Sequence, residues 1–288
     1  MPAPELLRLV GPVLAASAAA LLVDRGTRRR RLDPPGFESP ARRVLALTLV
    51  AFTLYVAVFA ALGMVGRGGD PDLAALSNWQ LFALQGLFTA AIAGWFTLGF
   101  AGTGGAVMAP GSSWRRFAGQ FGFATRFPGR EIGIGIVAGL AAWLLVLAAV
   151  LLFALVLASL FGEELLPQAP PAVIPWIAGR PIFLRLLIAG AAGLVEETFF
   201  RGFLQPRIGI GLSTLFFALA HLSYDQPIML VGITLLSLFY GSLVRWRQNL
   251  WPAIVAHFLF DAIQLLVVIP AALKLLYGGG SPESSLLD

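Results

Sequence analysis

Cysteine is absent from this 288-residue chain, which excludes disulfides, a thiol nucleophile and any thiolate metal site. Histidine occurs only twice. Charged residues make up 12% of the chain, against about 25% in soluble domains. What fills the space is apolar: 58% of residues are hydrophobic and the mean hydropathy is +0.83. A soluble fold of this size could not bury so much apolar surface, because burial is limited by surface-to-volume scaling. Lipid is the natural solvent for the excess. The net charge of +5 does not point to nucleic acid, since the arginines sit in short blocks between apolar stretches. That is the pattern of the inner loops of a membrane protein.

Spanning a bilayer takes about 20 apolar residues in a helix. The expected fold is all-α and polytopic, with about eight spans over Leu6–Val23, Val44–Val65, Trp79–Ala101, Ile132–Phe161, Ile182–Leu204, Ser213–Leu222, Ile228–Val244 and Trp251–Leu276. The sixth is too short to cross alone and must borrow from the Gly-rich lead-in at Ile208–Leu212. Residues Ala172–Gly179 suit an interfacial helix, because Pro175, Arg180 and Pro181 argue against a crossing. The sequence divides into N-terminal helices with basic loops over 1–130, a membrane domain over 131–277, and a tail over 278–288 expected to be disordered. The segments Asp24–Arg43 and Gly102–Arg130 read as polar connectors.

The first 26 residues partly resemble a signal peptide. However, Glu5 precedes the apolar run and Arg28–Arg31 follow it, which favours a retained anchor with its N-terminus outside. The inside loops then hold most of the basic residues, including Arg42, Arg43, Arg115, Arg116, Arg126, Arg130, Arg207, Arg245 and Arg247. Arg67, Arg180, Arg185 and Lys274 fall outside. Both termini are placed outside by this bias. The expected location is the plasma membrane.

An ionisable residue inside a span costs about 2.5–3.5 kcal/mol on insertion scales and usually marks function. Here such residues cluster. The fifth span carries Glu196, Glu197 and Arg201, the sixth carries His221, and the eighth carries His257 and Asp261. Both histidines of the chain thus fall in the membrane near carboxylates. His257 and Asp261, at i and i+4, share one helix face, and Glu197 and Arg201 have the same relation and can pair as a structural salt bridge. Glu196 then points about 100° away from Glu197. With Ser213 as N-cap of the sixth helix, Glu196, His221 and Asp261 lie about 12–15 Å from the inner ends of their helices. Three helices therefore deliver polar groups to one layer on the inner side. Buried Glu–Arg and His–Asp pairs can also simply hold helices together, at about 0.6–2 kcal/mol each. The phenylalanines Phe199, Phe200, Phe217, Phe258 and Phe260 read as packing.

The three segments resemble the signature of the CPBP family of intramembrane proteases, which includes the type II CAAX prenyl endopeptidases and the bacterial Abi proteins. Glu196-Glu197-x-x-x-Arg201, Phe217-x-x-x-His221 and His257-x-x-x-Asp261 match its three motifs in order, and the likeness covers about residues 182–276. The resemblance implies an endopeptidase acting on a membrane-associated protein or peptide. Glu196 would activate water, with His221, His257 and Asp261 as its catalytic companions. Hydrolysis of a peptide bond needs an activated water and a stabiliser for the developing oxyanion, and these residue types can supply both. His221, His257 and Asp261 also make a Zn²⁺ ligand set with an open fourth position, so metal-dependent and metal-free readings both fit. The site is expected to open toward the cytoplasm. The alternative is a proton-coupled transporter or channel using Glu196, His221 and Asp261 as a relay. Against it, the chain shows no inverted repeat with paired broken helices.

Overall fold

The computed structural model describes residues 3–59, 82–100, 112–166, 170, 173–222 and 227–277. Backbone groups in lipid have no water to bond to, so an apolar chain satisfies them internally as helices. Each expected span is helical where described, and no strand occurs among the described residues. The helices are α1 (Ala3–Arg29), α2 (Pro40–Leu54, extended by a π turn at Tyr55–Phe59), α3 (Ala83–Phe100), α4 (Ser112–Phe121), α5 (Pro128–Phe161) and α6 (Val173–Ala178). After α7 (Ile182–Ala191) comes a π-helical segment, Ala192–Leu204, which leads into α8 (Gln205–Ala220). The chain ends its described part with α9 (Pro227–Arg247), α10 (Trp251–Ile263), a π turn at Gln264–Val268 and α11 (Ile269–Tyr277). The outer ends of the second and third expected spans, Arg67 and the tail 278–288 lie outside the described residues.

Five helices among the described residues are long and apolar enough to cross a bilayer: Pro40–Phe59, Ala83–Phe100, Pro128–Phe161, Ile228–Arg247 and Trp251–Leu275. The protein is an all-α polytopic membrane protein. The fifth expected span is helical throughout but carries Arg185, Glu196, Glu197 and Arg201. The sixth is the second limb of a kinked helix.

That kink corrects the sequence reading. Gly209 has φ 86° and ψ 165°, a conformation that only glycine adopts without strain, and it divides α8 into two limbs. The second limb therefore begins before Ser213. Instead of capping, the Ser213 hydroxyl donates to the Phe200 carbonyl at 2.7 Å and ties the limb back to the π segment. A second correction concerns Arg207, which is buried in α8 and not in a loop. Its guanidinium donates to the Phe203 carbonyl at 2.6 Å and sits over the rings of Phe203 and Trp95, at 4.3 and 5.1 Å. Ring faces and a backbone carbonyl replace the water that a loop arginine would have. The connectors are also more ordered than expected. α1 runs on to Arg29, Asp24 pairs with Arg28 and Arg43, and α4 occupies part of 102–130.

One core joins the two halves of the chain. Val23 of α1, Leu54 of α2, Phe88 and Trp95 of α3 and Phe121 of α4 pack with Phe199, Phe200 and Phe203 of the π segment and with Leu250. Phe88 stacks on Phe199 with centroids 4.5 Å apart, and Trp95 meets Phe203 edge-on at 4.9 Å. On the other side, α5 lies directly against α10. A Cβ at Gly139 would stand 3.0 Å from the Ala256 carbonyl oxygen, and one at Gly135 would stand 2.8 Å from that of Pro252. Gly135 and Gly139 thus form a small-x-x-x-small face that lets two backbones touch, a packing device that works in lipid where the hydrophobic effect between helices is lost. Gly139→Leu is expected to cost about 1–3 kcal/mol through overpacking, read as a lower unfolding midpoint in detergent, whereas Gly133→Leu, where nothing lies within 4 Å, should leave it unchanged.

Candidate active site

The π-helical segment carries the first motif. Such segments are rare and gather at functional sites. Its wider winding buries both adjacent carboxylates, with Glu197 fully enclosed and Glu196 7% exposed. They face different neighbours, as the spacing implies. Glu197 Oε1 accepts from Arg201 at 2.9 Å and lies 2.8 Å from His257 Nδ1 on α10. Glu196 Oε1 instead accepts from the Gln85 side-chain amide of α3 at 3.5 Å.

α10 contributes the opposite wall. His257 Nε2 lies 3.5 Å from Asp261 Oδ2, one helical turn on. The His257 ring stacks on Tyr240 of α9 at 5.2 Å and meets Phe217 edge-on at 6.2 Å. At the C-terminal end of α8, His221 turns Nδ1 toward the Phe217 carbonyl at 2.7 Å, so that nitrogen carries the proton and Nε2 the lone pair. The Phe217 ring thus neighbours both histidines, 4.6 Å from the ring of His221 and 6.2 Å from that of His257. Glu196 is within electrostatic reach of His257, Asp261, Glu197 and Arg201, and His221 within reach of His257. The structure therefore brings the six motif residues, carried by the π segment, α8 and α10, into one cluster in which Glu196, Glu197, Arg201 and His257 are buried and His221 and Asp261 are partly exposed.

Two features change the sequence reading. Glu197 is more than a partner for Arg201, since the same oxygen also holds His257. And the aromatics do more than pack. The Arg201 guanidinium lies 4.2 Å over the Phe217 ring, with Phe200 and Tyr240 at 5.9 and 5.8 Å. Those ring faces attract the cation in a space that excludes water. Gln85 and Tyr240 escaped the sequence reading altogether. Neither is ionisable in the way that singled out the other residues, and neither lies near a motif in the chain; the one available signal was a lone glutamine in the apolar run 83–100.

The residues do not fit the expected Zn²⁺ ligand set. Among the described residues no three His, Asp or Glu side chains are grouped to hold a metal ion. His257 has its ring nitrogens directed at two carboxylates, Nδ1 at Glu197 at 2.8 Å and Nε2 at Asp261 at 3.5 Å.

The fold and the cluster define a helical membrane protein with an acid–histidine centre buried between its helices. Residues 178–263 match the family model described as type II CAAX prenyl endopeptidase Rce1-like. The uncharacterized protein YpbD of Bacillus subtilis (strain 168) is 40% identical over 83 residues, which is 28% of this chain and 42% of that relative. The chain thus spans less than half the length of the curated relative it matches. No solved structure matches. The matched segment contains every motif residue but not Gln85, which reaches the cluster from outside it.

Glu197→Gln should destabilise the fold by about 3–5 kcal/mol, because Arg201 would be left buried without its counter-charge. Tyr240→Phe should leave the unfolding midpoint unchanged or raise it, since the buried hydroxyl has no hydrogen-bond partner among the described residues. Equal losses for the two variants in detergent unfolding would contradict this division.

Proposed function

We propose that the protein is an intramembrane endopeptidase that hydrolyses a peptide bond of a membrane-associated protein or peptide, with Glu196 as the base. The observation that carries the reading is the division of labour between neighbouring carboxylates. Glu197 is engaged by Arg201 and His257, whereas Glu196 has a single weak amide donor and remains able to accept a proton. The family match at 178–263 supports a peptidase of the CAAX type.

In this reading a water molecule lies between Glu196 and His221. Glu196 takes one proton as the water oxygen bonds to the substrate carbonyl carbon, and His221 Nε2 orients the water by accepting its other hydrogen. Charge then builds on the carbonyl oxygen. His257, held by Glu197, keeps its Nε2–H only loosely engaged by Asp261 at 3.5 Å, and that N–H turns to the oxyanion. Glu196 returns its proton to the leaving nitrogen as the C–N bond breaks. Gln85 holds the Glu196 carboxylate in place. The surrounding phenylalanines keep bulk water out, which strengthens each charge interaction. The reading is metal-free, and the site opens toward the arginine-rich, cytoplasmic side of the plasma membrane.

Glu196→Gln should lower cleavage about 10²–10⁴-fold, the scale of general base catalysis, while the unfolding midpoint stays near that of the wild type. The measurement is a comparison of membrane proteomes from cells carrying each form, followed by assay of the purified protein on the peptides that accumulate. Activity should survive chelators, and His257→Ala should reduce it without any change in metal content. Cleavage that persists in Glu196→Gln would sink the assignment; loss of ion flux in place of cleavage would turn it to a transporter.

A further inference from the structure

α9 carries none of the three motifs, yet it bonds or packs against each element that does. Its neighbour α8 is broken at Gly209 into two limbs, and α9 bonds to both. Gln205, before the break, donates its side-chain amide to the Gly241 carbonyl at 2.9 Å. Thr214, after it, accepts from the Ser237 hydroxyl at 3.1 Å, and both side chains are buried. Thr214 lies two turns before His221 on the same limb. A glycine at positive φ has no side chain to fix the direction of the limb that follows it. Two bonds to one helix supply that restraint.

Between Ser237 and Gly241 stands Tyr240, which is fully buried. Its ring stacks on that of His257, with centroids 5.2 Å apart and planes 26° apart, and the Arg201 guanidinium lies 5.8 Å from its centre. Both groups that Glu197 Oε1 holds thus lie against this one ring. The ring is itself confined, in an apolar cluster with Ala142 and Val146 of α5 and Ala253 and Ala256 of α10.

His257 needs such a support. Glu197 anchors one ring atom, Nδ1, at 2.8 Å, while the contact of Nε2 with Asp261 is long, at 3.5 Å. The torsion that turns a histidine ring about its Cβ–Cγ bond is soft, so one anchored nitrogen leaves the ring free to tilt. A confined ring against its face removes that freedom. The Tyr240 hydroxyl has no hydrogen-bond partner among the described residues, so the ring is what acts on His257.

We infer that Tyr240 is a positioning residue. Through its ring α9 sets the orientation of His257, and through Ser237 and Gln205 it sets the place of the limb that carries His221. The bearing of this on cleavage rests on the peptidase reading above, in which His257 Nε2–H must meet the oxyanion. The placement of His257 does not rest on it.

The chain has two histidines, so isotope-labelled histidine reports on both. The full chain labelled in this way is compared by NMR in detergent micelles, with His221→Gln assigning the signals. Tyr240→Met keeps an apolar side chain of similar bulk without a flat face, and Tyr240→Leu is a second such variant. In both, the His257 ring signals are expected to move downfield and broaden as the shielding ring is lost, and Tyr240→Phe should return them to the wild-type position. Leu243→Ala, in the same apolar cluster, should leave them in place. With peptide substrate, Tyr240→Met should lower kcat about 10–10²-fold at nearly unchanged KM, the effect of an ångström-scale misplacement, and Tyr240→Phe should recover most of that loss. Signals unmoved in both Tyr240→Met and Tyr240→Leu overturn the inference. So does an equal shift in Leu243→Ala, which would mean general loosening, or a failure of Tyr240→Phe to restore the signals. Shifted signals in a protein that cleaves nothing in any form would sink the peptidase and leave the placement standing. Cleavage lost in Glu196→Gln, with His257 signals indifferent to the ring at 240, would do the reverse.

Discussion

One carboxylate oxygen holds the centre of this molecule together. Glu197 Oε1 receives Arg201 from its own segment at 2.9 Å and His257 from α10 at 2.8 Å. In lipid these groups have no water to turn to, so the alternative to this contact is a set of bare charges. The pair costs desolvation and is poor evidence of stability by itself. Its effect is positional. It fixes the π-helical segment against α10, orients the His257 ring, and leaves the neighbouring Glu196 outside the bond.

The rings around this contact make it possible. Phe200, Phe217 and Tyr240 present their faces to Arg201, and Tyr240 and Phe217 flank His257. They supply favourable charge–quadrupole contact where solvent cannot reach, and they set the distance between the two histidines. A polar cluster left half-solvated would hold its members loosely; enclosed in rings, the same groups have few arrangements open to them.

The segment matched by the family model does not enclose its own site. Phe88 stacks on Phe199, Trp95 closes over Phe203, and Gln85 touches Glu196, all from α3. Arg207, which a reading by charge assigns to a loop, is held between α3 and the π segment by Trp95 and Phe203. The N-terminal helices are therefore part of the wall around the cluster.

The sequence by itself determined the membrane class, the helical segments and the six motif residues. Those follow from local properties: apolar runs of spanning length, ionisable side chains too costly to sit in lipid without a purpose, and i,i+4 spacings that put Glu197 with Arg201 and His257 with Asp261. Only the tertiary structure decided which carboxylate is held by Arg201 and His257 and which lies outside that contact. It likewise decided that Gln85 and Tyr240 join the site, that Gly209 rather than Ser213 starts the limb carrying His221, and that His257 meets two carboxylates. The physical reason is the same in each case. These outcomes depend on groups far apart in the chain that helix packing brings within hydrogen-bonding distance, and on a wide-wound π segment whose side-chain directions no 3.6-residue period describes.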